Sequence, residues 1–420
     1  MKHLIKSLLL IATLLALPLT FTSCEDILGE WSKPTPAVVT PTDTPEPASP
    51  VKLTSITLNK PTTTILVGKT ETLTVETVTP DDAADKTVTW SSDKTAVATV
   101  DDNGLVTAVA VGTAIITATA KDGSGVTDKC TVTVSVPGLL AGEFSVAADK
   151  KVRFAQGNLQ YKASPSTWRF AEHQYDYVGD NTNGNVYESE TKCNNASISD
   201  SYTGWIDLFG WGTSGYNHGA TCYQPYCANS DNDKYYAYGD ASKNLYDNTG
   251  KADWGYNSIS NGGNEEKFGW RTLTSAEWQY IIKTRTGAKV YNTSNVRCTM
   301  ATINIDATGV NGLILFPDGL TFAADEATWG TFNDKSDYTT LCTSAQWTAL
   351  AEKGCVFLPA AGFRGDTMIH DSSADGYYWS STYYSSSWAN DLVFCSSYLY
   401  SGNAQNRYHG FSVRLVYEVK

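Results

Sequence analysis

From Leu53 to Val136 the chain alternates apolar and polar residues in short runs: Ile56 with Leu58, Leu73 with Val75, Val88 with Trp90, Ile116 with Ala118, Val132 with Val134. A period of two puts every second side chain on one face, so this stretch is constrained to half-buried strands. Turn signals at Val67-Gly68, Asp102-Asn103-Gly104 and Asp122-Gly123 cut it into pieces. Short strands spaced roughly ten residues apart predict a β-sandwich with Trp90 in its core. Cys130 has no second Cys within the stretch, so no disulfide ties the two layers together.

The landmarks Trp90-Ser91-Ser92, Ala98-Thr99-Val100, Asn103-Gly104 and Gly112-Thr113-Ala114 resemble those of the bacterial immunoglobulin-like domain of group 2. That resemblance implies a spacer or adhesion module over residues 51–137. At 420 residues the whole chain is too long for one ordinary core, and at net charge −13 it is too acidic to neutralise phosphates. Nucleic acid is therefore not an expected partner. Abundant Gly (33) and Tyr (24) favour short strands and turns over long helices.

Ahead of the sandwich, Lys2 and Lys6 precede an apolar run from Leu8 to Leu19 that ends at Phe21-Thr22-Ser23-Cys24. This pattern reads as a leader peptide over residues 1–23 rather than a spanning helix. It resembles the lipobox of bacterial lipoproteins, which implies acylation of Cys24, a membrane partner through the lipid, and an outer-membrane, surface-exposed location. Residues 24–50 then form a stalk, since Lys33 to Pro50 holds six prolines in 18 positions and nothing that could build a core.

Residues 138–420 are expected to make one α+β domain. Thr274 three residues before Glu277 and Thr343 three before Gln346 carry capping-box spacing, so each starts a short helix. The first is expected to run toward Arg285 with Ile281 and Ile282 inward, and the second to stop at Gly354. Four further segments occur in order: Gly269 to Thr274, Phe357 to Arg364, Tyr378 to Thr382 and Gly410 to Arg414. Together they resemble the formylglycine-generating-enzyme-like branch of C-type lectin folds, and within it the variable proteins of diversity-generating retroelements. The expected fold class is thus mostly β, an immunoglobulin-like β-sandwich followed by a C-type lectin-like domain with two short helices.

Between Tyr377 and His409 the residues Tyr, Ser and Asn fill 18 of 33 positions, while Lys, Glu and Pro are absent. Such a composition suits an adaptable binding surface, with Tyr for contact area and Ser and Asn for pliable hydrogen bonds. The resemblance implies that Tyr378 to Thr382, Ala389, Leu392, Phe394, Arg407 and Gly410 to Arg414 are framework. It implies variable, ligand-binding positions at Tyr383, Tyr384, Ser385, Ser387, Asn390, Asp391, Val393, Cys395, Ser397, Tyr398, Tyr400, Asn403, Asn406, Tyr408 and His409. The partner in this reading is a protein or glycan on another cell, phage or host surface. The alternative is a structural or tip subunit of a surface fibre.

Catalysis is not expected. The enzyme that names the branch uses a close pair of cysteines, and this region offers Cys395 alone. Cys193, Cys222, Cys227, Cys298, Cys342 and Cys355 allow 15 disulfide pairings among which sequence cannot choose. No cofactor is called for, and no metal: the Asp/Asn runs at 180–185 and 231–233 miss calcium-loop spacing, and His173, His218, His370 and His409 are not spaced as ligands.

Overall fold

The structure, a computed structural model, describes residues 49–177, 201, 203–215, 244–245, 252–263, 269–290, 293–305, 308–322, 338, 341–365 and 368–420. The leader, Cys24, nearly all of the stalk, Cys193, Cys222, Cys227 and His218 lie outside these residues.

The alternating stretch folds as two small sheets and a strand pair around one core. One sheet orders the strands Thr62–Leu66, Thr127–Ser135, Gly112–Ala120 and Val88–Ser92, and the other Thr70–Thr72, Leu105–Ala108 and Ala98–Val100. Ser55–Leu58 pairs antiparallel with Val75–Thr79. The inward set is the one the alternation picks out, with Leu58, Leu73, Ile116, Ala118, Val132 and Val134 buried together. Trp90 is only half-buried, at the rim of this core. Gly104 lies against it at φ +78, where a Cβ would sit 3.0 Å from the indole and 2.3 Å from Leu73 O, so the Asn-Gly turn requires glycine. Cys130 is a buried free thiol.

The rest of the described chain is mixed, and the molecule is mostly β. Strands β1 (Phe144–Ala147) and β2 (Lys150–Phe154) open it, followed by the hairpin β3 (Leu159–Lys162) and β4 (Thr167–Phe170). Strand β5 (Trp270–Thr272) leads into α1 (Ser275–Gln279). The long hairpin β6 (Cys298–Ile305) and β7 (Thr308–Leu315) precedes α2 (Ser344–Glu352) and β8 (Val356–Pro359). Last come β9 (Gly376–Tyr383), β10 (Trp388–Cys395), β11 (Tyr398–Asn406) and β12 (Leu415–Val419).

Both expected caps are present. Thr274 Oγ1 accepts from Glu277 N–H while the Glu277 carboxylate accepts from Thr274 N–H, and Thr343 and Gln346 do the same for α2. The first helix is shorter than its cap and apolar pattern suggest: after Gln279 the chain widens into a π-turn over Tyr280–Thr284, with Ile281 and Ile282 still buried. Arg285 closes that turn from inside the protein, where its side chain donates to the carbonyls of Ile281, Arg297 and Phe316 and pairs with Asp318 at 2.9 Å. Gly354 ends α2 at φ +85, the left-handed conformation expected of it.

Strand β12 is the hub. It lies between β2 and β5 in a sheet ordered β1, β2, β12, β5, with Lys151 opposite Val419 and Trp270 opposite Tyr417. Just before it, Ser412 bonds both ways with β9, accepting from Trp379 N–H and donating to Tyr377 O, each at 3.0 Å. Arg414, fully buried, donates to Asn158 Oδ1 and to the carbonyls of Ala155, Gln174 and Phe357 at 2.7–3.1 Å. One guanidinium thus fastens the 155–158 loop, Gln174 and β8 to the start of β12, and burial brings its pKa down to about 10. Cys298, Cys342 and Cys355 are buried and in no disulfide, and burial pushes the Cys342 thiol up to about 12.

Candidate ligand-binding surface

The Tyr/Ser/Asn window folds as the three-stranded antiparallel sheet β9, β10, β11. Alternation sends Tyr378, Leu392 and Phe394 into one core, shared with Trp278 of α1, and Tyr377, Trp379, Ala389 and Val393 into another, shared with Phe411. β10 is consequently buried on both faces over most of its length.

That burial corrects three of the expected contact positions. Val393 and Cys395 are 3% and 7% exposed, and Asp391 is 1% exposed, because the odd-numbered face of β10 is a core face rather than a solvent face. Asp391 occupies the start of a bulge where β10 and β11 slip register. Its Oδ2 accepts a long bond of 3.4 Å from the Asn403 amide, and its Oδ1 has no hydrogen-bond partner. With no cation beside it, burial pushes this carboxyl up to about 7.

The remaining positions do not form one patch. The β9–β10 turn carries Tyr383, Tyr384, Ser385 and Ser387, with Asn406 opposite Trp388 on the neighbouring strand and Tyr408 just beyond Arg407. The β10–β11 turn carries Ser397, Tyr398 and Tyr400. Between the two turns runs the eight-residue β10, a span of about 23 Å at strand rise. Asn390 and Asn403 lie midway, half-buried, with the Asn390 amide donating to Asn403 O at 3.0 Å. His409 packs against Phe363 at 5.1 Å and takes the edge of Tyr408 at 4.8 Å.

Most of the tyrosines are engaged. Tyr383 is half-buried with its ring 4.9 Å from the Arg407 guanidinium, and its N–H donates to Asn244 Oδ1. Tyr398 donates its hydroxyl to Asp375 Oδ2 at 3.0 Å, a bond shared with Tyr377 at 3.2 Å; burial and this carboxylate raise the Tyr398 phenol above its ordinary pKa. Tyr400, 56% exposed, stacks on Tyr398 at 5.2 Å. Tyr384 is the most open of them at 60%.

The backbone of the β9–β10 turn is held from below by Arg407, which is fully buried. Its side chain donates to Ser385 O at 2.5 Å and Trp388 O at 3.2 Å, its N–H donates to Ser387 O at 3.0 Å, and its guanidinium lies 4.5 Å from the Trp211 ring. Trp388, which is not among the contact positions expected from the sequence, is 42% exposed at the base of the same turn. The signal was available: an indole directly after three serines sits where a strand is only beginning and no core face yet exists. Among the described residues, no group of three or more His, Cys, Asp or Glu side chains could hold a metal ion, and no helix is long and apolar enough to cross a membrane.

Comparison with known proteins bears on the first domain. Residues 52–134 match the family model of the bacterial Ig-like domain, group 2, and this part of the chain is such a domain. An uncharacterized protein of Clostridium acetobutylicum is 51% identical over 85 residues, which is 20% of this chain and 9% of that protein. The alpha-L-arabinofuranosidase of Bifidobacterium longum is 52% identical over 69 residues, 16% of this chain and 6% of the enzyme. The lacto-N-biosidase of Bifidobacterium bifidum is 38% identical over 122 residues, 26% and 11% respectively. This chain therefore spans a small fraction of the length of these relatives. Among solved structures, domains 4 and 5 of the S-layer protein SbsC align at 28% identity over 20% of this chain and 46% of that one, with a TM-score of 0.17.

Proposed function

We propose that this chain is a lipid-anchored surface protein in which the immunoglobulin-like domain carries a C-type lectin-like domain of the retroelement variable-protein type, and that the β9–β11 sheet binds a macromolecule, protein or glycan. It is a binder rather than a catalyst. The observation that supports this best is the placement of exposed aromatics: the large apolar side chains exposed in the C-terminal part of the described chain are Tyr384, Trp388 and Tyr400, all on this one sheet. Of these, Tyr384 and Trp388 stand together on the β9–β10 turn, and adjacent exposed aromatics mark an interaction site where singly scattered ones do not. Buried Arg407 and Arg414 hold the supporting backbone, so the contact residues can differ while their frame does not. Two of the enzymes that share sequence with the chain are named for carbohydrate substrates, a setting in which a surface binder of cell-wall or host material is at home.

Two measurements test the reading. Cys24→Ala should release the exported protein from membranes, and retention there would refute the anchor. Cells displaying the wild-type chain and a Tyr384→Ser/Tyr400→Ser variant should differ in adherence to a panel of bacterial and host cells at equal melting temperature; equal adherence would refute the surface.

A further inference from the structure

We propose that the β9–β10 turn is a contact site for a neutral oligosaccharide, with the rings of Tyr384 and Trp388 as its stacking platform. This rests on the binding-surface reading above and narrows it to one turn and one ligand chemistry.

The first ground is that these two rings are unoccupied. Tyr383 faces Arg407, Tyr398 is bonded to Asp375, Tyr400 stacks on Tyr398, and Tyr408 meets His409. The indole of Trp388 and the phenol of Tyr384 make no hydrogen bond, ring contact or cation contact among the described residues, although they are 42% and 60% exposed. Leaving an indole in water forgoes the transfer free energy that burial would return. The fold has not covered either ring, and both stand on the same turn.

The second ground is that the turn is built to stay as it is. Tyr384 N–H and Ser385 N–H both donate to Trp388 O, at 3.3 and 3.0 Å, and Trp388 N–H returns a bond to Ser385 O. Arg407 then fixes the Ser385 and Trp388 carbonyls from within. A platform already ordered loses little entropy when a ligand arrives.

The third ground is the chemistry around the rings. From Tyr383 to Asn390 there is no charged side chain, only the hydroxyls of Ser385, Ser386 and Ser387 and the amide of Asn390, with Asn406 paired opposite Trp388. Among the described residues, the cation beside the turn is Arg407, which is buried and committed to carbonyls. Among the described residues of the turn, a sulfate, phosphate or sialic acid would find no exposed counter-charge. A neutral sugar ring fits instead: its C–H face lies on an aromatic ring, and its hydroxyls exchange hydrogen bonds with Ser and Asn. Size points the same way. Two half-exposed rings offer on the order of 200 Å², whereas a stable protein interface needs about 800 Å² from each partner.

The test is a glycan array of neutral, sulfated and sialylated oligosaccharides probed with the full mature chain. Binding to neutral glycans is expected, weakened at least tenfold by Trp388→Ala and by Tyr384→Ser, and kept by Tyr400→Ser. Trp388→Phe, which retains a ring, should keep part of the affinity, and it also serves if the alanine variant folds poorly. Tryptophan emission should shift on adding the bound neutral oligosaccharide to wild type and not to Trp388→Phe. Binding only to charged glycans, or to none, overturns the proposal, as does a Trp388→Ala protein that binds like wild type. If the array is blank while adherence still depends on Tyr384 and Tyr400, the sheet binds protein: the broader reading then stands and this inference falls.

Discussion

Asp391 is a carboxyl enclosed in the middle of the β9–β11 sheet with one oxygen unpartnered and, among the described residues, no cation paired with it. Its pKa rises from the ordinary 3.8 to about 7, a change of about three units, which corresponds to on the order of 4 kcal/mol. Because the folded chain holds this proton more tightly than the unfolded chain, the stability it confers is complete below pH 3.8. It is lost as pH climbs through about 7, and is flat above. Asp391→Asn keeps the shape and removes the titration. Urea unfolding followed by tryptophan fluorescence at pH 4, 5.5, 7 and 8.5 should show the variant near wild type at pH 4 and progressively more stable than it up to pH 8.5. The difference between the two proteins isolates Asp391 from other carboxyls, such as Glu143, whose partner Arg153 lowers its pKa and gives the opposite slope. If wild type and Asp391→Asn differ by the same amount at every pH, the carboxyl is not held protonated and the reasoning is wrong.

Two further outcomes follow from the packing. Phe394→Ala, at a position with no exposure, should cost about 2–5 kcal/mol in urea unfolding, while Tyr400→Ser should stay within about 0.5 kcal/mol; reversal of that order would mean the sheet faces the other way. Arg414→Met should destabilise by several times the roughly 1 kcal/mol of an ordinary hydrogen bond, since it strands the carbonyls of Ala155, Gln174 and Phe357, and a near-normal melting temperature would show that they find other donors.

What could be read in the sequence was what depends on neighbours a few residues away. The immunoglobulin-like strands, both capping boxes and the left-handed Gly354 are local, and each is found where spacing placed it. The early end of α1 was not legible, because the π-turn after it exists to bring Arg285 onto Asp318 and onto carbonyls of Arg297 and Phe316. The depth of Asp391, Val393 and Cys395 was also hidden. Strand alternation says which residues share a face, but not that a second layer, here Trp379 and Phe411, covers the face opposite α1. Composition singled out the β9–β11 sheet and could not tell Tyr384 from Tyr383, whose difference is the guanidinium of Arg407.

The place of β12 also bears on when this protein folds. Lys151 and Val419 are paired at a separation of 268 positions in the chain (419 minus 151), and pairs so far apart pay loop-closure entropy before their contact returns anything. At about 5–20 residues per second of synthesis, β1 and β2 wait on the order of tens of seconds for their mate. A nascent chain in that interval can complete the immunoglobulin-like sheets, whose last strand ends at Ser135, but not the sheet that β12 joins. The C-terminal part of the chain therefore closes this sheet only once synthesis has delivered its last strand.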